Sequence, residues 1–412
     1  MTLKQREGQN PIKVAHVTTV DLSLRYLLLN QLQSLQMTGY EVVGISAPGP
    51  DVAAIEAAGV RHVAAPLTRK VTPLADLAAL WRLYRVMRQE QFTIVHCHTP
   101  KAELLGQVAA RLAGVPVVVD TFRGIYYRRE MHPAWRRLFV LMARGAAACA
   151  DVVLSQSREN LEMAVREGIC SAEKIRHLGN GIDVVCFDRE TLDAEAVARV
   201  RADLGLPPGA PVVGFVGRLV AEKGIGEILE AAHRVLGQVP GVRFLFVGPV
   251  DADKPDAVSP AAAAEQGLDS ACIFAGMRQD MPELYAVMDV YVLPSHRESF
   301  PRSPMEAAAM GVPCIVTDIP GCRETVEQGR NGLLVPVGDV EALAAAIVQV
   351  LSDRPMARRM GAEGRKMALA HFDERVVFDR VKAEYARLLA ERGVPVPLPA
   401  HTAGIEEDLV PV

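Results

Sequence analysis

Aromatic residues are scarce in this sequence, at 5% of 412 residues, so its 50% hydrophobic content rests largely on Ala, Val and Leu. That mixture suits helices layered on buried parallel sheets. The seven cysteines (Cys97, Cys149, Cys170, Cys186, Cys272, Cys314 and Cys322) never fall into a Cys-x-x-Cys spacing. They read as small hydrophobes packed in a reducing compartment. No long apolar run is present either. The most apolar stretch, Leu138 to Leu154, is interrupted by Arg144 and Asp151, so no membrane span is expected. The first ten residues are polar and lack a signal-peptide pattern. The expected location is cytoplasmic, at most peripheral on the inner face of the membrane.

Net charge is small as well, at −4. Residues 1–185 hold 22 basic against 16 acidic side chains, and the remainder 23 against 33. A basic half beside an acidic half suggests different partners, or merely uneven solubilising charge. The length exceeds one ordinary core and suggests two domains.

What the sequence does have is alternation. Ile12–Thr18 reads as a strand, Thr19–Ser23 as a turn and Leu24–Met37 as a helix stopped by Gly39. Strand-like and helix-like runs then follow each other to Lys174–Leu178, and Gly179-Asn180-Gly181-Ile182-Asp183 breaks the pattern. A connection is expected near 184–208, with a short helix at 193–203. The alternation restarts at Pro211–Val216 and runs through Val242–Val247, Cys272–Phe274, Val290–Leu293 and Cys314–Val316. Such order predicts α/β architecture with right-handed βαβ units in parallel sheets. A last amphipathic helix is predicted at about 373–391, followed by a tail of disordered composition.

Chemistry concentrates in two stretches. Ser295-His296-Arg297-Glu298-Ser299-Phe300-Pro301-Arg302-Ser303-Pro304-Met305-Glu306 follows an apolar strand and enters an Ala-rich helix ended by Gly311-Val312-Pro313. Ser303 and Pro304 suit the helix cap and first turn. Glu298 is expected on the loop and Glu306 about one turn inside the helix. Gly217-Arg218-Leu219-Val220-Ala221-Glu222-Lys223-Gly224 follows the first strand of the second half and opens the next helix. Helix starts favour acids, so two cations there need a reason. A diphosphate and its departing charge would supply one.

The Glu-x7-Glu pattern with its Ala-rich helix and Gly-x-Pro resembles retaining glycosyltransferases of family 4. The resemblance implies the GT-B fold: two facing Rossmann-like domains with parallel sheets and a C-terminal helix crossing back to the first domain. The implied domains are 1–185 on the acceptor side, 186–370 binding a nucleotide-sugar, the crossing helix 371–392 and the tail 393–412. By the same resemblance Arg218 and Lys223 hold the diphosphate, Glu298 reaches donor-sugar hydroxyls and Glu306 grips the ribose. Backbone groups of Gly217, Phe300, Pro301, Arg302 and Ser303 line the donor, and Phe274-Ala275-Gly276-Met277 forms the base-binding turn. Relatives often carry Gly after the first Glu, where this chain has Ser299. They also carry a His near the reacting carbon, where this chain has Arg123. An Arg can donate hydrogen bonds but cannot act as a base near neutral pH, so Arg123 is expected to clamp a sugar or an acceptor phosphate.

The implied reaction moves a hexose or N-acetylhexosamine, with retention, from a nucleoside-diphosphate sugar. Uridine is the expected base, and a polyprenyl-diphosphate-linked or glycan acceptor in capsule or exopolysaccharide assembly the expected partner. No cofactor or metal is expected for such enzymes. Two alternatives share part of this architecture: a sugar-nucleotide 2-epimerase, and a catalytically silent nucleotide-sugar-binding subunit. Three features stay outside that frame. His96 and His98 stand on one side of a strand end and lack a third zinc ligand in sequence. Asp251-Ala252-Asp253 imitates a metal-binding Asp-x-Asp but reads as turn chemistry. Arg123, Arg128, Arg129, Arg136, Arg137 and Arg144 interleave with Tyr126, Tyr127, Trp135 and Phe139. That mixture suits an anionic leaflet, or simply a helix packing its aromatics inward. Nucleic acid is not expected, because no recognition module accompanies it.

Overall fold

The computed structural model describes residues 11–70, 72–124, 131–251 and 254–397. The expected tail beyond residue 397, Tyr126, Tyr127, Arg128, Arg129, Ala252 and Asp253 lie outside the described residues. The chain divides into two compact units, residues up to Leu178 with those from Phe378 onward, and Gly179–Val377 between them.

The first unit holds seven strands: β1 (Lys13–Val20), β2 (Glu41–Ala47), β3 (Arg61–Ala64), β4 (Ile94–Cys97), β5 (Val117–Phe122), β6 (Val152–Ser155) and β7 (Ile175–His177). Every pairing is parallel, in the order β3-β2-β1-β4-β5-β6-β7. The central strands are buried on both faces, which is why they read as near-continuous runs of Val and Ile. Strand order reverses between β1 and β4, and their carboxyl ends are tied there by Thr19 and Thr99, whose hydroxyls lie 2.8 Å apart.

The expected helix from Leu24 proves irregular. Asp21–Ser23 is helical, Leu24–Leu28 is a π-turn, and the regular helix is Leu29–Met37. Thr19 and Val20 belong to β1, not to a turn. The Asp21 carboxylate accepts from Leu22 N at 2.9 Å and Asp51 N at 2.8 Å, which pins this entry to the loop after β2.

The second unit contains β8 (Val212–Val216), β9 (Arg243–Val247), β10 (Cys272–Gly276), β11 (Val290–Leu293), β12 (Cys314–Thr317) and β13 (Gly332–Val335), all parallel in the order β10-β9-β8-β11-β12-β13. Phe215, Phe244 and Phe246 are fully buried in it. Each contributes roughly 1.5–3 kcal/mol relative to exposure. Phe246 stacks on Phe274 with centroids 4.7 Å apart. Strand β13 is absent from the sequence reading, since Gly-Leu-Leu-Val after a turn is too short to show alternation. Ala275 and Gly276 extend β10 instead of forming a turn.

The last helix, Glu374–Glu391, begins in the second unit and ends in the first. Val381, Tyr385 and Leu388, spaced for one helical face, are buried. Within the first unit the Tyr385 hydroxyl meets His96 Nδ1 at 2.7 Å, and Arg392 pairs with Asp151 at 2.7 Å.

Candidate active site

In the second unit strand order reverses between β8 and β11. Loops leaving adjacent strand ends at such a point diverge and leave room for a ligand. Both chemistry-bearing stretches emerge there: Gly217–Gly224 after β8, and Pro294–Pro301 after β11. The two loops touch through their backbones. Gly224 has φ +78°, and a Cβ added to it would stand 2.2 Å from the Pro294 carbonyl oxygen. Only glycine fits, because both the conformation and the space refuse a side chain.

That contact brings Lys223 to Glu298, and their ammonium and carboxylate form a direct ion pair. Glu298 is 9% exposed and Lys223 19%, so the pair is poorly screened by water. Arg218 Nη1 donates to Asp251 Oδ2 at 2.7 Å. The Asp251 carbonyl also accepts from Lys254 N at 2.9 Å. Its grip on Arg218 was not legible in sequence.

Glu306 lies on the helix Arg302–Ala309 and accepts from the Tyr285 hydroxyl at 2.8 Å. Burial raises its pKa, opposed by Arg302 and by that hydrogen bond. Glu298 and Glu306 both raise the pKa of Tyr291, after the larger effect of burial, so the two carboxylates share one neighbourhood. The helix does not use Ser303 as its cap. Pro301 is the N-cap, without a side-chain hydrogen bond, and Ser303 Oγ instead accepts from the Tyr291 hydroxyl at 2.7 Å. Phe300 packs edge-on against Phe372 and its carbonyl accepts from Asn180 Nδ2 at 2.8 Å. Arg302 pairs with Glu374 at 3.2 Å. Asn180 and Glu374 thus position the loop; neither carried a sequence signal. Gly276, at the end of β10, accepts from Gly248 N at 2.8 Å, and Met277 is half exposed.

Arg123 belongs to the first unit, where its Nη1 donates to Gln156 Oε1 at 3.3 Å. The missing third imidazole also appears there. His16 pairs in register with His96 across β1 and β4, and potential ligand atoms of His16, His96 and His98 lie within 4.8 Å of one another. Hydrogen bonds engage these rings: His16 Nδ1 with His98 Nε2 at 2.8 Å, and His96 Nε2 with Thr121 at 2.6 Å. Burial holds all three neutral, with His16 lowered to about 3.

Two parallel Rossmann-like sheets, the second carrying cations and paired acids at its switch point, define a glycosyltransferase of the GT-B class. A family model described as Glycosyl transferases group 1 matches residues 197–367, and one described as Glycosyltransferase Family 4 matches residues 26–185. A GDP-mannose-dependent alpha-mannosyltransferase of Mycobacterium tuberculosis is 31% identical over 354 residues, covering 81% of this chain and 86% of that relative. The chain belongs to glycosyltransferase family 4. The UDP-Gal:alpha-D-GlcNAc-diphosphoundecaprenol alpha-1,3-galactosyltransferase of Escherichia coli is 27% identical over 354 residues, covering 85% of this chain and 90% of the relative. The crystal structure of Anabaena HepE with UDP and glucose superposes with a TM-score of 0.78 at 20% identity, covering 91% of this chain and 100% of HepE. Neither the epimerase nor the silent-subunit alternative gains support from these relatives.

Proposed function

We propose that this glycosyltransferase moves a hexosyl or N-acetylhexosaminyl group, with retention, from a UDP-sugar to a lipid-linked or glycan acceptor in surface-polysaccharide assembly. The observation that carries the donor half is the Lys223–Glu298 pair at the β8/β11 switch point. Lys223 and Arg218 supply positive charge for the departing diphosphate, fixed in place before the bond breaks. Glu298 accepts from donor-sugar hydroxyls, and Glu306, partly buried on the helix Arg302–Ala309, takes the ribose hydroxyls. Backbone of Gly217, Gly276, Met277 and Phe300 to Ser303 completes the donor surface. The chemistry is carried by these side chains without a cofactor or metal.

Uridine is favoured by the UDP complex of HepE and by the E. coli relative's UDP-Gal donor, against the GDP-mannose of the mycobacterial one. The lipid-linked acceptor follows the E. coli relative, which acts on a diphosphoundecaprenol-linked sugar. The test is a panel of UDP- and GDP-sugars with and without a polyprenyl-diphosphate-linked sugar. UDP release that depends on the acceptor is expected. Release only from GDP-sugars would overturn the base assignment, and no release from any donor would overturn the transfer itself.

A place at the membrane surface fits the first unit. Trp135, Leu138 and Leu141 are exposed on the helix Pro133–Cys149 beside Arg136 and Arg137, and Leu74, Leu77 and Trp81 on the helix Pro73–Glu90 beside Arg82 and Arg85. The helix Pro100–Ala113 packs against both. Among the described residues no helix is long and apolar enough to cross a membrane. Apolar side chains ringed by arginines suit an anionic leaflet. Flotation with anionic vesicles at low salt is expected, and its loss in Trp81→Glu/Trp135→Glu. Equal flotation of both proteins would remove this surface from the account.

A further inference from the structure

The two loops that bring Lys223 to Glu298 carry their charges in crossed order. After β8 the chain reads Glu222-Lys223, acid then base, and after β11 it reads Arg297-Glu298, base then acid. Both pairs form in space. Arg297 Nε meets Glu222 Oε1 at 3.0 Å, alongside the Lys223–Glu298 pair. The backbone supports the same register: the Glu222 carbonyl accepts from His296 N at 2.9 Å and from Ser295 Oγ at 3.2 Å. Further on, in the first turn of the helix Ile225–Leu236, Glu227 Oε1 meets His296 Nε2 at 2.5 Å. His296, Arg297 and Glu298, consecutive in the chain, thus each reach a partner between Glu222 and Glu227.

Stability does not call for the second pair. The Arg297 side chain is 41% exposed, and an ion pair that open to water contributes little to the fold. Its order matters instead. A slip of one residue in either direction would set Glu222 against Glu298, or Lys223 against Arg297, and like charges repel. The observed register gives each of the four charges its opposite. Arg297 is also the chain neighbour of Glu298. Without Glu222 its guanidinium would compete with Lys223 for that carboxylate.

We propose that Glu222 and Arg297 are positioning residues for the transfer. Their pair fixes the register of the two loops and keeps Arg297 from Glu298, so that Lys223 and Glu298 hold one geometry before the donor arrives. Neither acts on the reacting atoms. The inference rests on the glycosyl-transfer reading, in which Lys223 faces the departing diphosphate and Glu298 the donor sugar. A small misplacement of those two groups is felt in the chemical step far more than in the affinity for UDP.

The test compares wild type with Glu222→Gln, Arg297→Gln and the double variant. Acceptor-dependent UDP release is followed with whichever of UDP-glucose, UDP-galactose and UDP-N-acetylglucosamine the wild type turns over, and UDP binding by calorimetry. Glu222→Gln leaves Arg297 to compete for Glu298. It is expected to lower kcat at least about tenfold, within what a small misplacement costs, with UDP affinity within about threefold of wild type. Arg297→Gln should lose less. The double variant removes the competitor with its partner and should regain at least about threefold in kcat over Glu222→Gln, a non-additivity expected of groups in contact. Thermal midpoints should agree within about 4 °C, as for a pair open to water. Four results overturn the positioning role: Glu222→Gln within about twofold of wild type; a double variant no faster than Glu222→Gln; UDP affinity falling in step with kcat, which marks direct contact with the ligand; or a midpoint falling in step with kcat, which marks a purely structural pair. A wild type that releases no UDP from any of the three donors would instead strike the glycosyl-transfer reading.

Discussion

Replacing Lys223 by Ala is expected to lower the rate of UDP release during transfer by about 10²–10³-fold, the usual loss when one preorganised stabilising donor is removed. The reasons lie in the loop geometry. Lys223 is held by a glycine whose backbone touches Pro294, so the ammonium is placed by the main chain and not by a flexible stem alone. It is largely shielded and its charge is met by Glu298. Water cannot reproduce a fixed charge in that setting, because it must reorient as the diphosphate leaves. Glu298→Gln should fall similarly in kcat, since an amide is a weaker acceptor for the sugar hydroxyls. Lys223→Arg is not a rescue: a planar fork does not replace a compact ammonium in the same loop. Steady-state release of UDP, coupled to acceptor, reads all three. A Lys223→Ala enzyme within about threefold of wild type would mean that the diphosphate charge is met elsewhere.

The second large effect is on stability and comes from the opposite unit. His16 is fully buried and its pKa is lowered to about 3, against 6.5 in an unfolded chain. Between those values the unfolded chain binds a proton that the folded chain does not, so stability falls as pH falls from 6.5 towards 3. At pH 5 the loss is about 2 kcal/mol for this one imidazole. His96 and His98 move the same way. Glu103 and Asp120 act in the opposite sense, since the fold takes up protons on them first. A difference curve removes them: urea unfolding of wild type against His16→Asn, at pH 7 and pH 5. The wild type should lose about 2 kcal/mol relative to the variant on acidification. Parallel curves would show that His16 is not held neutral by the fold.

How far the sequence reached can be told residue by residue. The apolar runs of β8, β9 and β11 were legible because both faces of a parallel sheet are buried, and the loops after them carried Lys223 and Glu298 in plain view. Strand β13 was not, being four residues at a sheet edge. Ser303 is not the helix cap the sequence suggests, because its hydroxyl is taken by Tyr291, roughly 40 Å of extended chain away but adjacent across a strand-to-helix turn. His16 could not be joined to His96 and His98 without knowing that β1 pairs with β4 in register. Asp251 reads in sequence as a turn residue alone, yet it holds Arg218. Glu103 and Asp120 gave no signal, since a buried acid is written with the same letter as a solvated one. Local pattern was readable; partners distant in sequence were not.

The central claim is that a nucleoside diphosphate is held by the second unit through the loops after β8 and β11. Calorimetric titration of UDP tests it without needing the acceptor or the donor sugar. Wild type should bind, and Lys223→Ala should bind at least about tenfold more weakly, the loss of one charge-assisted contact. Equal affinity in the two proteins would contradict the account.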